Sequence, residues 1–227
     1  MHYLLFSLFL LLCIFGPQLW VRRVFKEYTN EIPELSGTGG ELAAHLIERF
    51  HLKGVSLEKT ELGDHFDPQS ATVRINQKNF DGKSLTAIAV AAHEVGHAIQ
   101  YFKSDPMFRW RTQLSLFARK TEKAGAFAML AIPLITVIFR LPQMGLLFFA
   151  LGASSMLMAV IIHLITLPVE WDASFGKALP ILRQGGYIDD SQVRIVQRIL
   201  LAAALTYVSS ALAGLLNVGR WLTLIRR

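Results

Sequence analysis

The chain has 227 residues, 52% of them hydrophobic and 18% charged, with a mean hydropathy of +0.39, which excludes disorder, a collagen-like repeat and a disulfide scaffold. Its single cysteine, Cys13, cannot close an internal disulfide, so any metal site must be built from histidine and carboxylate side chains. The formal net charge of +6 sits beside apolar runs and does not interleave with aromatics, which favours a lipid bilayer as partner and excludes nucleic acid.

From Tyr3 to Val21 no residue is charged, and Arg22, Arg23 and Lys26 follow at once. Residues 1–21 therefore read as an N-terminal transmembrane anchor with a basic stop; the pattern of a cleaved leader, with positive charge before the run and a small-residue cleavage site after it, is missing. Residues 22–123 read as a polar module. Gly37, Gly39 and Gly40 break the chain before a helical pattern of Leu42, Leu46, Ile47 and Phe50. Ala71 to Asn76 alternates with period two between the turn signals Asp67-Pro68 and Asp81-Gly82, as a half-buried strand does. Its edge is expected to pair with an extended polypeptide. Gly82-Lys83-Ser84 looks like the end of a phosphate-binding loop, but Gln77 stands where that loop needs its first glycine, so nucleotide binding is excluded.

Within the apolar helical run Ala87 to Ile99 the chain places His93-Glu94-Val95-Gly96-His97. Residues four apart share a helix face, so His93 and His97 can each give one nitrogen to a single Zn²⁺, with Glu94 rotated towards the metal's water as general base. Leaving two histidines and a glutamate among Ala, Val and Ile without a metal would cost several kcal/mol of desolvation, on the order of that for unpaired polar groups. A catalytic zinc needs a third protein ligand. The residues after His97 are Ala98-Ile99-Gln100-Tyr101-Phe102, which excludes the extended motif with a third histidine. A later carboxylate is expected: Glu170, just past Pro168, with Asp172 as the rival. His65, in a polar turn before the strand, is a candidate to approach the metal or a bound carbonyl, and otherwise a solvated loop histidine. His163 lies two helical turns before Glu170 and stays unassigned.

Residues 124–168 carry one formal charge, Arg140, beside Leu141-Pro142-Gln143. They read as a transmembrane hairpin with arms of about Ala124–Phe139 and Met144–Leu167. Residues 169–198 then form the third-ligand helix and a connection. Ile199 to Gly219, bracketed by Arg198 and Arg220, is the last apolar run, placing a fourth span in residues 199–227. The hairpin contributes two spans between His97 and Glu170, the even number that lets them share one metal. Basic residues at Arg22, Arg23, Lys26, Arg119, Lys120, Lys123, Lys177 and Arg183 then place the catalytic side in the cytoplasm, against Arg140, Arg220, Arg226 and Arg227 opposite.

The block Ala91 to Gln100 resembles the motif of the YugP-like neutral zinc metallopeptidases, multi-pass bacterial membrane proteins. The likeness continues through Asp64-His65-Phe66-Asp67-Pro68, the strand to Asn76, and Leu167-Pro168-Val169-Glu170-Trp171-Asp172-Ala173-Ser174. It implies a mainly α membrane protein with about four transmembrane helices and a small α/β zincin-like (gluzincin) catalytic module. It also implies one zinc, a polypeptide substrate and a bacterial inner-membrane location. HtpX-type relatives of that fold carry Asp four residues after the liganding glutamate; this chain has Ser174, which leaves open what orients the histidines. The competing reading is a zinc-binding membrane regulator that does not cleave.

Overall fold

The computed structural model describes residues 2–117, 120, 123, 127 and 142–225, and over these the chain is mostly helical with one small sheet. In order come α1 (His2–Glu27), α2 (Gly39–Arg49), β1 (Ser56–Thr60), β2 (His65–Asp67), β3 (Thr72–Asn76), α3 (Gln77–Asp81) and α4 (Leu85–Phe102). Helical residues 106–117 (α5) follow, then α6 (Pro142–Trp171), a π-helix (Asp172–Ala178), α7 (Leu179–Gln184) and α8 (Asp190–Ile225). The contacts divide into two units. Leu19–Arg109 with Leu167–Thr206 forms one; Met1–Gln18, Trp110–Thr166 and Tyr207–Arg227 form the other.

In the first unit the local signals act as their chemistry dictates. The Thr38 hydroxyl accepts from the Glu41 N–H while the Glu41 carboxylate accepts from the Thr38 N–H, a reciprocal cap that starts α2. Leu42, Ala43 and Leu46 then face the core. α2 lies close because a Cβ on Gly39 would come within 2.4 Å of the Asn79 carbonyl and 2.8 Å of that of Ala87. The expected strand forms as β3, and Val73 and Ile75 point into the core. The Asp67-Pro68 signal is a turn in which the Asp67 carboxylate accepts from the Gln69 N–H.

Two strands have no clear sequence signal. β1 runs parallel to β3 and β2 antiparallel to it, in the order β1-β3-β2. β3 is thus central, paired on both sides, and the expectation that it offers a free edge is corrected. The edge strands are β1 and β2.

The expectation of about four transmembrane helices is also overturned. Among the described residues no helix is long and apolar enough to cross a membrane. Hydropathy registers that a segment is buried without saying in what, and part of these runs is buried in protein. Val21 of α1 and Ile199, Leu200 and Ala202 of α8 belong to the same apolar core as Val95 and Ile99 of α4. The hairpin's first arm, about Ala124–Phe139, and the turn at Arg140 fall almost wholly outside the described residues. The parity check that rested on counted spans goes with them.

In the second unit, the Arg111 guanidinium donates to the Tyr207 hydroxyl at 2.6 Å. His163 is half-buried, with its ring 5.9 Å from that of Tyr207.

Candidate metal centre

α4 carries the centre because it is buried all round. The Ser84 hydroxyl accepts from the Ala87 N–H and caps it, which gives Gly82-Lys83-Ser84 a structural role. Every residue from Leu85 to Gln100 is buried. A helix with no polar face belongs in the middle of a core, and its alanines let neighbouring elements approach. The tightest approach is at Gly96, inside the HExxH motif: a Cβ there would lie 2.9 Å from the Ala173 carbonyl oxygen and 3.4 Å from the Lys177 Cβ. Glycine at this one place lets the π-helix, and Glu170 immediately before it, come down onto the histidines.

The result is a convergence of three buried groups. Ligand atoms of His93, His97 and Glu170 all lie within 4.8 Å of one another. Glu170 Oε2 is 3.3 Å from His93 Nε2 and 3.2 Å from His97 Nε2, and Glu170 is 1% exposed. The four-residue spacing puts both histidines on one helix face, their rings edge to face with centroids 4.7 Å apart.

Hydrogen bonds on the far sides of the rings decide which nitrogens hold protons. Gln100 Nε2 donates to the Val169 carbonyl at 3.0 Å and to Asp172 Oδ2 at 2.8 Å, so its Oε1 faces His97 Nδ1 at 2.9 Å and accepts from it. The Ser174 hydroxyl donates to the Leu200 carbonyl at 3.1 Å, leaving its oxygen to accept from His93 Nδ1 at 3.1 Å. With both Nδ1 atoms engaged from behind, the two Nε2 atoms and a Glu170 oxygen point at one another. A metal ion standing between them would be held by all three. The donor set, two imidazoles and one carboxylate, is the one a catalytic zinc takes.

Of the other residues singled out by sequence, Glu94 is buried on α4 one position past His93. Asp172, the rival ligand, is not in the cluster; its carboxylate binds Gln100 and Lys177 Nζ, the latter at 2.8 and 2.9 Å. Burial pushes the Asp172 carboxyl up, but the hydrogen bonds from Lys177 and Gln100 outweigh it and hold it below the usual carboxylate range. His65 is half-buried at the start of β2, its Nδ1 2.9 Å from the Gly63 carbonyl, and it pairs in register with Arg74. Its ligand atoms are not part of the three-residue group.

Sequence reasoning missed Gln100, Ser174, Asp172 and Lys177 as supports. Gln100 is legible in retrospect, three residues past His97 and so on its helix face. The Asp172–Lys177 pair is not. The two stand five positions apart, the spacing that one turn of a π-helix brings onto one face. Gly176 allows it, because a Cβ there would overlap Asp172 Oδ1.

A family model described as "Putative neutral zinc metallopeptidase" matches residues 3–226, and the chain belongs to this family. It is similar to the "Putative membrane protease YugP" of Bacillus subtilis (strain 168), 31% identical over 220 residues that cover 94% of each chain. No solved structure matches it. The resemblance read from the block Ala91 to Gln100 is thereby borne out.

Proposed function

We propose that this chain is a zinc-dependent endopeptidase that holds one zinc through His93, His97 and Glu170 and cleaves unfolded or membrane-associated polypeptides. The supporting observation is the convergence of both imidazole Nε2 atoms and a buried carboxylate oxygen on one point. A bound zinc would supply Lewis acidity there, lowering the pKa of water towards ~7 and polarising a peptide carbonyl. The chain's own residues do the rest. Glu94, about 100° round the helix from His93, accepts the proton of the attacking water and passes it to the leaving amine. The rings of His93 and His97, fixed from behind by Ser174 and Gln100, keep their Nε2 atoms aimed without reorganisation.

An extended substrate is proposed to add along the outer edge of β2. That strand adjoins the site: the Phe66 ring lies 6.1 Å from Phe108, itself 6.0 Å from His97. Main-chain pairing gives affinity with little sequence preference. His65 begins the same strand, and a weak contact with the bound carbonyl, worth no more than a few-fold in rate, is proposed for it. We place the reaction at the cytoplasmic face of a membrane. The relative's name supports the membrane, and the exposed Arg22, Arg23 and Lys26 suit an anionic leaflet.

The test is Glu94→Gln beside wild type, with and without chelator, on an unfolded protein substrate. The variant should hold zinc at wild-type stoichiometry and lose cleavage by about 10²–10⁴-fold or more. Cleavage within a few-fold of wild type removes Glu94 from this role. Zinc binding by wild type with no chelator-sensitive cleavage favours the non-cleaving regulator.

A further inference from the structure

The two histidines are anchored by different chemistry. His93 leans on the Ser174 hydroxyl, which the Leu200 carbonyl engages. A single hydroxyl can rotate about its C–O bond, so this anchor holds its ring less firmly than an amide wedged between two acceptors and a ring nitrogen. His97 leans on an amide that cannot turn over. Flipping Gln100 would aim its oxygen at the Val169 carbonyl and the Asp172 carboxylate, acceptor against acceptor, in a position where Gln100 is 2% exposed. Lys177 grips both Asp172 oxygens and keeps that carboxylate in place and charged. Four side chains thus form one line, His97–Gln100–Asp172–Lys177, starting at the buried centre and ending half-exposed on the π-helix.

We infer that Gln100, locked by the Asp172–Lys177 ion pair, is the positioning residue that holds His97 with Nε2 towards the metal position and so sets how tightly zinc is retained. The inference rests on the zinc reading above. It also answers the question raised by Ser174, because the acid that steadies a histidine in this chain stands at 172 and acts through an amide on the other ring. Partners of this kind are typically worth about 10–100-fold in metal affinity.

The experiment measures zinc affinity of the full chain by chelator competition, together with nitrogen-15 spectra of the histidine rings. Gln100→Met removes the acceptor at nearly constant volume. It should weaken zinc about 10–100-fold and displace the His97 Nδ1–H signal while that of His93 stays. Asp172→Leu, on a half-buried residue, frees the amide to turn and should weaken zinc by about threefold to tenfold. Asp172→Asn keeps an acceptor for Gln100 and should stay within about threefold, a difference that loss of packing alone would not produce. Affinity within threefold in Gln100→Met, or an unmoved His97 signal, overturns the inference. Should Gln100→Met fail to fold, equal affinities in Asp172→Leu and Asp172→Asn overturn it. A wild-type chain that binds no zinc removes the zinc reading itself, a separate outcome from variants that match a zinc-loaded wild type.

Discussion

The centre on α4 and the outer face of the sheet are both rich in charge and hydrogen bonds, yet they use them differently. On the sheet, Arg74 spans Asp67 at 2.7 Å and Glu58 at 3.1 Å, tying β3 to both neighbours, and all three side chains meet water. Each group there has its opposite charge, so the arrangement is complete. At the centre, His93, His97 and Glu170 are almost fully buried and bring two imidazole nitrogens and a carboxylate oxygen together on one point, the donor set of a zinc site. A satisfied network at the surface supports a fold. A buried cluster of metal-ligating groups converging on one point marks a site.

Variants in the two regions should therefore separate into those that lose zinc and those that lose only stability. Gly96→Ala has the largest expected effect of these, because its Cβ would meet the Ala173 carbonyl at 2.9 Å. It should destabilise by about 1–3 kcal/mol, as overpacking does, and loosen zinc by moving Glu170 away from the histidines; calorimetry and chelator competition on one sample measure both. Unchanged zinc affinity in a folded Gly96→Ala would break the link between that close approach and the centre. His65→Ala probes the border between the regions. Its ring holds the Gly63 carbonyl on the Arg74 side of the sheet, so zinc should be unaffected and cleavage should fall by no more than a few-fold. A loss of about 10²-fold with zinc retained would instead place His65 in the reaction.

Asp67→Asn should have the smallest effect, and none on zinc. Burial pushes the Asp67 carboxyl up, but the Gln69 N–H, Arg74 and Ser70 outweigh it and hold the carboxyl at about 2, below the ordinary 3.8. A lowered folded-state pKa gives stability that is present above the unfolded value and lost as pH falls through the folded one. Wild type should thus lose stability between about pH 4 and pH 2 more steeply than Asp67→Asn in acid titrations followed by circular dichroism. Coincident curves would show that the Arg74 bridge contributes nothing measurable.

The same contrast explains what could be read from sequence. His93, Glu94 and His97 were legible because a helix converts spacing into geometry, and β3 because alternation does the same for a strand. Glu170 was reachable only through the chemistry of zinc, which demands a third ligand. β1 and β2 are short, polar and paired across 16 or fewer residues of chain, so neither has a pattern of its own. The π-helix was invisible because nothing in Asp172–Ala178 departs from an ordinary helical sequence until Gly176 and Lys177 are seen against Asp172. The apolar runs were misread for a related reason: a residue bound for a protein core and one bound for lipid have the same hydropathy, and Val21 and Ile199 went to the core.

Zinc content at equilibrium tests the central claim most directly. Wild type, Glu170→Gln and Asp172→Asn are dialysed together against a limiting zinc buffer and assayed for bound metal per chain. The expected result is about one zinc in wild type and nearly as much in Asp172→Asn, with loss in Glu170→Gln, whose neutral amide cannot replace the buried carboxylate as a ligand. Retention in Glu170→Gln with loss in Asp172→Asn would contradict the account and make Asp172 the third ligand.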